Sequence, residues 1–503
     1  MSLKRNLVVN YASQIYVTVI GIVIVPLYLR YMGVEAYGLI GFFSLLQSWF
    51  SLLDAGLTPT VARESARFRG GACDALSYRR LLQALEAVFV FIAIVGAAGL
   101  LAASDAIATR WIHSVALNES EVRASIRLMA IAIALRWICG LYRGVASGAE
   151  RLVWLSGFGA AIATLRFVAV LPVLMLVDKT PTTFFAYQLA IAVLELGGLA
   201  FMARRLLPPL PSGTLPAWSL APLYPVLKFS LSIAFTSSVW VIVTQTDKLV
   251  LSKVLPLAEY GSFTLAVLVA SSVLVVTGPV SSALLPRLSR LEAEGNQVEL
   301  IRVYRGATQL VAVISGTAST VLALWSEPLL AAWTGDRALA REAAPILTLY
   351  AAGNGVLAVS AFPYYLQYAK GNLRLHLIGN AVFVAVLLPA IFIVAARYGG
   401  VGAGYVWLAT NVVSFFAWLP LVHHRFAPGL NRRWYGEDVL AILGTTAAAG
   451  LLLQRGFSRS DSLETGLIGV ILAGVALLIV ALFSSSEARR RVAKMLSARR
   501  WAP

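Results

Sequence analysis

Long apolar segments separated by short polar loops recur along the whole chain. Each segment is close to the roughly 20 residues that an α-helix needs to cross the hydrocarbon core of a bilayer. The pattern predicts an all-α polytopic membrane protein with about fourteen transmembrane helices. Their approximate bounds are 8–29, 37–58, 82–103, 125–146, 152–177, 182–203, 226–250, 257–285, 306–331, 343–368, 374–396, 400–422, 438–454 and 464–483.

Composition agrees with this interpretation, because only 13% of the 503 residues are charged and 59% are hydrophobic. The net charge of +17 does not indicate nucleic-acid binding, since most of the 41 Lys and Arg residues lie in short loops between apolar segments. Their bias toward alternate loops places both termini in the cytoplasm, as expected for a multi-pass protein of the bacterial inner membrane. Two distant cysteines and no P-loop sequence predict neither a metal site nor a cofactor.

An internal repeat is suggested by two short stretches that contain Tyr-Gly. In "LRYMGVEAYGLIGF" Arg30 precedes Tyr37 by seven residues, and in "SKVLPLAEYGSFTLA" Lys253 precedes Tyr260 by the same number. The offset of 223 residues divides the first twelve helices into two sets of six with the same orientation. We therefore expect four regions, which are an N-terminal bundle at 1–205, a cytoplasmic linker at 206–225, a C-terminal bundle at 226–424, and an additional helix pair with a basic tail at 425–503.

Three charged residues lie near the centres of predicted helices, namely Arg136, Arg166 and Glu195. A charge at the bilayer centre costs about 2.5–3.5 kcal/mol on insertion scales, so each should face a partner or a cavity. One interpretation is structural, with Glu195 pairing with one arginine as a tie between helices. The other is functional, with the arginines binding an anion such as phosphate and Glu195 carrying a proton.

Other polar residues are weaker candidates. Asp54, Glu86 and Asp247 lie nearer the helix ends, where they fit ion coupling or ordinary helix-end positions. In the second half of the chain the main mid-membrane polar residues are Asn354 and Gln367. This asymmetry favours a substrate that has one charged end and a long neutral remainder.

The stretch "VPLYLRYMGVEAYGLIGFFSLLQSWFSLLDAGLTPTVARESAR" resembles the opening of the Wzx-type O-antigen and polysaccharide flippases. "TQTDKLVLSKVLPLAEYGSFTLA" is similar to the same family's pattern of an Asp and a basic residue followed by Tyr-Gly. These flippases belong to the multidrug/oligosaccharidyl-lipid/polysaccharide exporter superfamily. The resemblance covers roughly residues 1–430 and implies two six-helix bundles in a V-shaped arrangement, to which this chain adds two C-terminal helices.

The resemblance also implies a function, which is export of an undecaprenyl-pyrophosphate-linked oligosaccharide by alternating access. A cation-lined lumen would then include Arg136 and Arg166, with Arg30, Lys248 and Lys253 as outer substrate-binding candidates. Membrane lipids, a polysaccharide polymerase and a chain-length regulator are the implied partners. Three alternatives stay open at this point: a multidrug exporter, a lipid II exporter of the same superfamily, and a membrane scaffold without transport of its own.

Overall fold

In the computed structural model of the chain, the apolar segments form helices. The structure describes residues 3–54, 56–209, 219–456 and 463–490. Within these ranges ten helices are long and apolar enough to cross a membrane, and two further apolar helices are shorter. Each of the fourteen predicted segments coincides with helical structure. The prediction of an all-α polytopic membrane protein is confirmed.

The chain divides into two compact units, Met1–Gly261 (unit 1) and Ser262–Pro503 (unit 2). Unit 1 holds α1 (Leu3–Val23), α2 (Val25–Phe50), α3 (Leu57–Arg69), α4 (Ala75–Ala106), α5 (Glu119–Gly148), α6 (Leu152–Phe167), α7 (Val170–Leu176), α8 (Pro181–Leu206), α9 (Tyr224–Val254) and the start of α10 (Leu257–Ala293). Unit 2 holds the rest of α10, then α11 (Gln297–Leu324), α12 (Ser326–Thr334), α13 (Arg337–Ser360), α14 (Phe362–Ala369), α15 (Arg374–Ala417), α16 (Leu419–Phe426), α17 (Asn431–Arg433), α18 (Ala441–Gly456) and α19 (Leu463–Ser484).

The four regions expected from the sequence stay predictions. Residues 210–218 of the expected linker and residues 491–503 of the basic tail lie outside the described residues. The expected V-shaped arrangement of two bundles is likewise a prediction.

Several helices break just before a proline. Pro26 follows the break between α1 and α2, Pro172 the break between α6 and α7, and Pro363 the break between α13 and α14. Proline has no N–H and its ring clashes with the preceding turn, so a new helix begins most easily with proline in its first turn. At Pro279 and Pro389 the helix continues through the proline.

Two long helices each contain a turn at a glycine. Gly33 within α2 has φ 84°, and Gly399 within α15 has φ 56°, a region that residues with a side chain rarely adopt. These turns separate the predicted segments 8–29 from 37–58 and 374–396 from 400–422.

A glycine-lined face of α5 packs against α3. Gly140, Gly144 and Gly148 recur every fourth residue, so they line one side of the helix. A Cβ atom added at Gly144 would lie 2.9 Å from the carbonyl oxygen of Thr58, and one at Gly148 would lie 2.1 Å from that of Ala62. Small residues at such positions let the backbones of two membrane helices approach closely. The packing fixes α5, whose neighbouring face carries Arg136.

A buried polar network in unit 2 holds the helices that follow the predicted repeat. Arg305 on α11 donates from Nε to Asp438 Oδ2 over 2.6 Å and from Nη2 to Glu437 Oε2 over 2.6 Å. Gln309, one helical turn further on, donates to Asp438 Oδ1 over 2.6 Å and accepts from Ser485 Oγ over 2.7 Å. We call these five residues the Asp438 network. It joins α11 to the segment before α18 and to the residue after α19.

Candidate substrate-binding site

Two arginines on α5 face two polar residues on α8. Arg136 and Arg143 are seven residues apart, and so are Gln188 and Glu195, which places each pair on one helix face about two turns apart. The Arg136 guanidinium donates from Nη2 to Gln188 Oε1 over 2.6 Å. Arg143 forms an ion pair with Glu195. The equal spacing means that α5 and α8 run in the same direction with two matched polar contacts.

Glu195 lies at the centre of this arrangement. Its Oε1 pairs with Arg143, and its Oε2 lies 2.6 Å from Arg166 Nη2 at the end of α6. The Glu195 side chain is only 2% exposed, whereas that of Arg143 is 52% exposed. Glu195 therefore ties three helices together, while Arg143 reaches it from an exposed position.

Positive charge exceeds negative charge in this arginine cluster, which consists of Arg136, Arg143, Arg166, Gln188 and Glu195. The cluster holds three guanidinium groups and one carboxylate, and only Arg143 and Arg166 pair with that carboxylate. Arg136 is buried, and its contacts among the described residues are with the neutral amide of Gln188 and the ring of Phe43, 5.0 Å away. Such a cation–ring contact is weakly favourable and supplies no counter-charge. The cluster thus has the charge and donors to bind an anion.

Two nitrogen atoms of the cluster have no hydrogen-bond partner among the residues that the structure describes. They are Nε of Arg136 and Nε of Arg166, both of which are buried. Buried polar groups are usually paired, and a specific exception calls for an explanation. A ligand rich in acceptor oxygens would satisfy both donors.

The break between α6 and α7 positions Arg166. Helix ends leave carbonyl groups without partners, and in a membrane each such group must be satisfied within the protein. Here Tyr28 donates to the carbonyl of Phe167 over 2.7 Å, and Tyr187 donates to that of Leu165 over 2.9 Å. Gln188 donates to the carbonyl of Arg166 itself over 3.0 Å. These three side chains hold the last turn of α6 against its neighbours.

The sequence-based substrate candidates fall into two groups. Arg136 and Arg166 lie together in the arginine cluster, as does the ion-coupling candidate Glu195. Arg30 and Lys253 are exposed, and the Lys253 ammonium lies over the ring of Trp111 at 5.1 Å.

Lys248 lies elsewhere in unit 1. Its ammonium donates to the carbonyl of Thr244 and to the side chain of Gln245 on its own helix. No contact among the described residues joins Arg30, Lys248 or Lys253 to the cluster.

The remaining ion-coupling candidates have local partners. Asp54 accepts from the hydroxyl and backbone N–H of Thr58 at the start of α3. Glu86 accepts from Tyr142, and Asp247 accepts from the backbone N–H of Lys248. These contacts resemble helix-end and interhelical ties, and the assignment to ion coupling stays a prediction.

The polar candidates of unit 2 are satisfied within the protein. Asn354 donates to the carbonyl of Ala270 over 2.9 Å and accepts from the indole of Trp407 over 3.0 Å. Gln367 accepts from the backbone N–H of His376 over 2.8 Å. Both side chains stabilise helix packing.

Sequence reasoning missed Arg143 and Gln188. Arg143 lies toward the end of the apolar segment 125–146, where a basic residue is ordinary, so the sequence does not single it out. Its position seven residues after Arg136 is the available signal, since residues with this spacing share a helix face. Gln188 is an uncharged residue near the start of its apolar segment, and the sequence alone does not connect it with Arg136.

Three solved structures, each of a flippase or transporter, share this fold. The lipid II flippase MurJ in an inward closed conformation aligns with a TM-score of 0.73 and 14% identity over 93% of this chain and 97% of its own. An inward-facing multidrug resistance MATE family transporter of the MOP superfamily aligns with a TM-score of 0.68 and 13% identity over 82% and 94%. A MOP superfamily transporter from Pyrococcus furiosus aligns with a TM-score of 0.52 and 14% identity over 82% of this chain and 96% of its own.

At the level of sequence, no curated protein matches significantly. The family model described as polysaccharide biosynthesis protein matches residues 3–292, which is more than half of the chain. This match confirms the resemblance to Wzx-type proteins. The chain is a multi-pass membrane protein, and its fold is that of the MurJ and MATE structures above. It belongs to the polysaccharide biosynthesis protein family.

Proposed function

We propose that the protein is a flippase that moves an undecaprenyl-pyrophosphate-linked oligosaccharide, such as an O-antigen or other surface polysaccharide repeat unit, across the bacterial inner membrane by alternating access. The observation that carries the proposal is the excess of buried positive charge in the arginine cluster. A membrane protein retains such a charge at considerable cost, which an anionic substrate offsets. Membership of a polysaccharide biosynthesis family supports a saccharide-bearing substrate.

The pyrophosphate is the part of this substrate that fits the cluster. A guanidinium group offers several N–H donors in a rigid plane and stays charged, which suits phosphate oxygens. The exposed side chain of Arg143 contacts the phosphate first. The buried Nε groups of Arg136 and Arg166, which have no partner among the described residues, then donate to it. The polyprenyl chain then remains in the surrounding lipid.

Coupling to protons follows from the position of Glu195. In this structure both of its oxygens are bound to arginines, so it acts as a tie. When phosphate oxygens bind Arg143 and Arg166, the buried carboxylate loses its counter-charges, and protonation removes the cost of leaving it charged. In this proposal, substrate binding and proton uptake by Glu195 occur together.

The decisive experiment measures lipid-linked oligosaccharide in each membrane leaflet. Cells that lack the gene, and in which no second flippase compensates, are complemented with wild type, Arg136→Gln, Arg166→Gln or the control Arg127→Gln. Arg127 is on the same helix but exposed, where it pairs with Asp105. We expect inner-leaflet accumulation with the two cluster variants and normal distribution with the control. Normal surface polymer from both cluster variants at wild-type protein levels would refute the arginine assignment.

Proton coupling has a separate test. Glu195→Gln keeps the size of the side chain but cannot carry a proton, so its transport should lose the dependence on external pH that wild type shows. Full activity with an unchanged pH profile would remove Glu195 from coupling.

Lipid II is the second candidate substrate, because the solved MurJ structure covers nearly the whole chain. It also carries a pyrophosphate, so the arginine cluster alone does not separate the two. Accumulation of peptidoglycan precursor, and not of oligosaccharide, in the same deletion cells would favour lipid II. A substrate that is a small cation is disfavoured by the positive charge of the cluster.

A further inference from the structure

The two Tyr-Gly stretches of the sequence touch each other in unit 1. A Cβ atom added at Gly38 would lie 2.5 Å from the carbonyl oxygen of Leu257, and one added at Gly261 would lie 2.5 Å from that of Val34. Val34 precedes Gly38 by four residues, and Leu257 precedes Gly261 by four. The contact is therefore reciprocal, with each glycine packed on the helical turn before its counterpart.

Glycine is required on both sides of this contact. Real Cβ atoms essentially never come within 3.0 Å of another heavy atom, and here the obstacle is a backbone oxygen that cannot rotate away. An alanine at either position forces the two backbones apart. Because the adjacent Tyr37 and Tyr260 are buried, separation also exposes tyrosine surface.

The loop between α4 and α5 forms hydrogen bonds with both sides of the contact. The Glu35 carboxylate accepts from the backbone N–H groups of Val115, Ala116 and Leu117 at 3.0–3.1 Å. From the other side, the backbone N–H of Leu257 donates to the carbonyl of His113 over 2.7 Å. The loop thus forms a clasp of hydrogen bonds, most of them exposed. Bonds of this kind exchange readily with water, so the clasp can release.

From this geometry we infer that the reciprocal glycine contact is a reversible closure. The contact forms when the helices that carry the two Tyr-Gly stretches come together, and it separates again during each transport cycle. The inference rests on the proposed transport function. It assigns to Gly38 and Gly261 the role of allowing full closure, and to Glu35 the role of holding the clasp.

The test uses a cysteine reporter. The native cysteines are replaced by Cys73→Ser and Cys139→Ala, and Leu257→Cys is introduced, because Leu257 is only 3% exposed and its side chain contacts Gly38. The purified protein in lipid nanodiscs is treated with a charged methanethiosulfonate reagent, which reaches both faces. The rate of reaction at position 257 reports how often the contact is open.

Three variants are compared in this background. Gly38→Ala should raise the labelling rate about fivefold or more, since overpacking of this kind shifts an equilibrium by that factor at the lower end of its typical range. Glu35→Ala should also raise it, because the clasp loses its acceptor. Gly99→Ala is the matched control, since nothing lies within 4 Å of its added Cβ. Gly38→Ala should also lower transport in cells.

Two results would overturn the closure. One is equal labelling in all variants, and the other is faster labelling by Gly38→Ala with wild-type transport. If Gly38→Ala misfolds, Glu35→Ala decides the outcome, because it changes only the clasp. If labelling of the purified variants responds as expected but no lipid-linked substrate accumulates in cells that lack the gene, the closure is supported and the proposed substrate is refuted.

Discussion

Each unit contains a buried ionic cluster, and the two clusters differ in how fully they are satisfied. In the Asp438 network of unit 2, Arg305 faces Asp438 and Glu437, and Gln309 binds a remaining Asp438 oxygen. In the arginine cluster of unit 1, Glu195 pairs with two of the three arginines, and two guanidinium nitrogens have no partner among the described residues. A satisfied network stabilises packing, whereas an unsatisfied one has capacity for a ligand.

The comparison also explains why the last two helices belong to the fold. Asp438 is fully buried within the segment Trp434–Leu440 that leads into α18, and its partner Arg305 lies on α11. Trp434, at the start of this segment, is fully buried and donates to Thr308 on α11 over 3.1 Å. These helices complete the core of unit 2, in addition to any role they have in transport.

The largest effect should come from removing Asp438. In Asp438→Ala, Arg305 keeps only the exposed Glu437 as an acidic partner, and breaking a buried pair in this way costs about 3–5 kcal/mol. We expect a marked loss of the free energy of unfolding in detergent and little folded protein in the membrane. Glu437→Ala removes the exposed partner and should cost at most about 1 kcal/mol. Equal losses in the two variants would contradict the description of a satisfied core network.

A smaller loss of stability should follow when a buried hydrogen-bond donor in unit 2 loses its acceptor. Thr308→Val keeps the shape of the side chain but leaves the Trp434 indole N–H without an acceptor, which costs about 1–3 kcal/mol. The indole N–H of Trp137 in unit 1 is already buried without a partner. Thermal unfolding in detergent measures the loss, with Thr109→Val as control, since that exposed hydroxyl bonds only to its own helix. An unchanged unfolding temperature would show that the indole bond contributes nothing.

A smaller effect on stability is expected from Arg136→Gln, although transport should be lost. Arg136 has no carboxylate partner among the described contacts, so its removal should change the free energy of unfolding by less than about 1 kcal/mol. Stability and leaflet distribution are measured on the same variant. A loss of stability as large as that of Asp438→Ala would mean that Arg136 is a structural residue like Arg305, and the contrast between the clusters would fail.

The smallest effect belongs to Asp74, a fully exposed carboxylate at the start of α4. Hydrogen bonds from the side chain and the backbone N–H of Ser77, the latter 3.1 Å long, lower the pKa of Asp74 below its ordinary value of 3.8. A lowered pKa in the folded state means that the stabilisation is present above that ordinary value and is lost as pH falls through the folded-state pKa. We expect the protection factors of the amides at the start of α4, which compare each exchange rate with the intrinsic rate at the same pH, to fall in acid. Asp74→Ala should show the same low protection factors at neutral pH. Protection factors that are independent of pH and of the substitution would exclude a capping role.

The sequence predicted those features that depend on local pattern. Apolar length located the helices. The cost of a buried charge singled out Arg136, Arg166 and Glu195, which the structure brings into one cluster.

Features that depend on distant contacts were not predictable in the same way. Arg305 and Asp438 lie 133 residues apart near the ends of apolar segments, where charges are ordinary. Arg143 looks like a loop residue until the pairing of α5 with α8 is known. The Tyr-Gly repeat was visible in the sequence, but the contact between its copies requires the backbone geometry of both.

The break between α6 and α7 has a consequence for how the chain enters the membrane. The carbonyls at the break are satisfied by Tyr28, which precedes them, and by Tyr187 and Gln188, which are synthesised later. Until α8 is made, the carbonyls of Leu165 and Arg166 lack these partners, and the charge of Arg166 lacks Glu195. The fifth apolar segment is apolar enough to cross the membrane, but it then carries unpaired polar groups. We expect the insertion machinery to retain it until the sixth segment emerges, so that the two enter the bilayer as a hairpin.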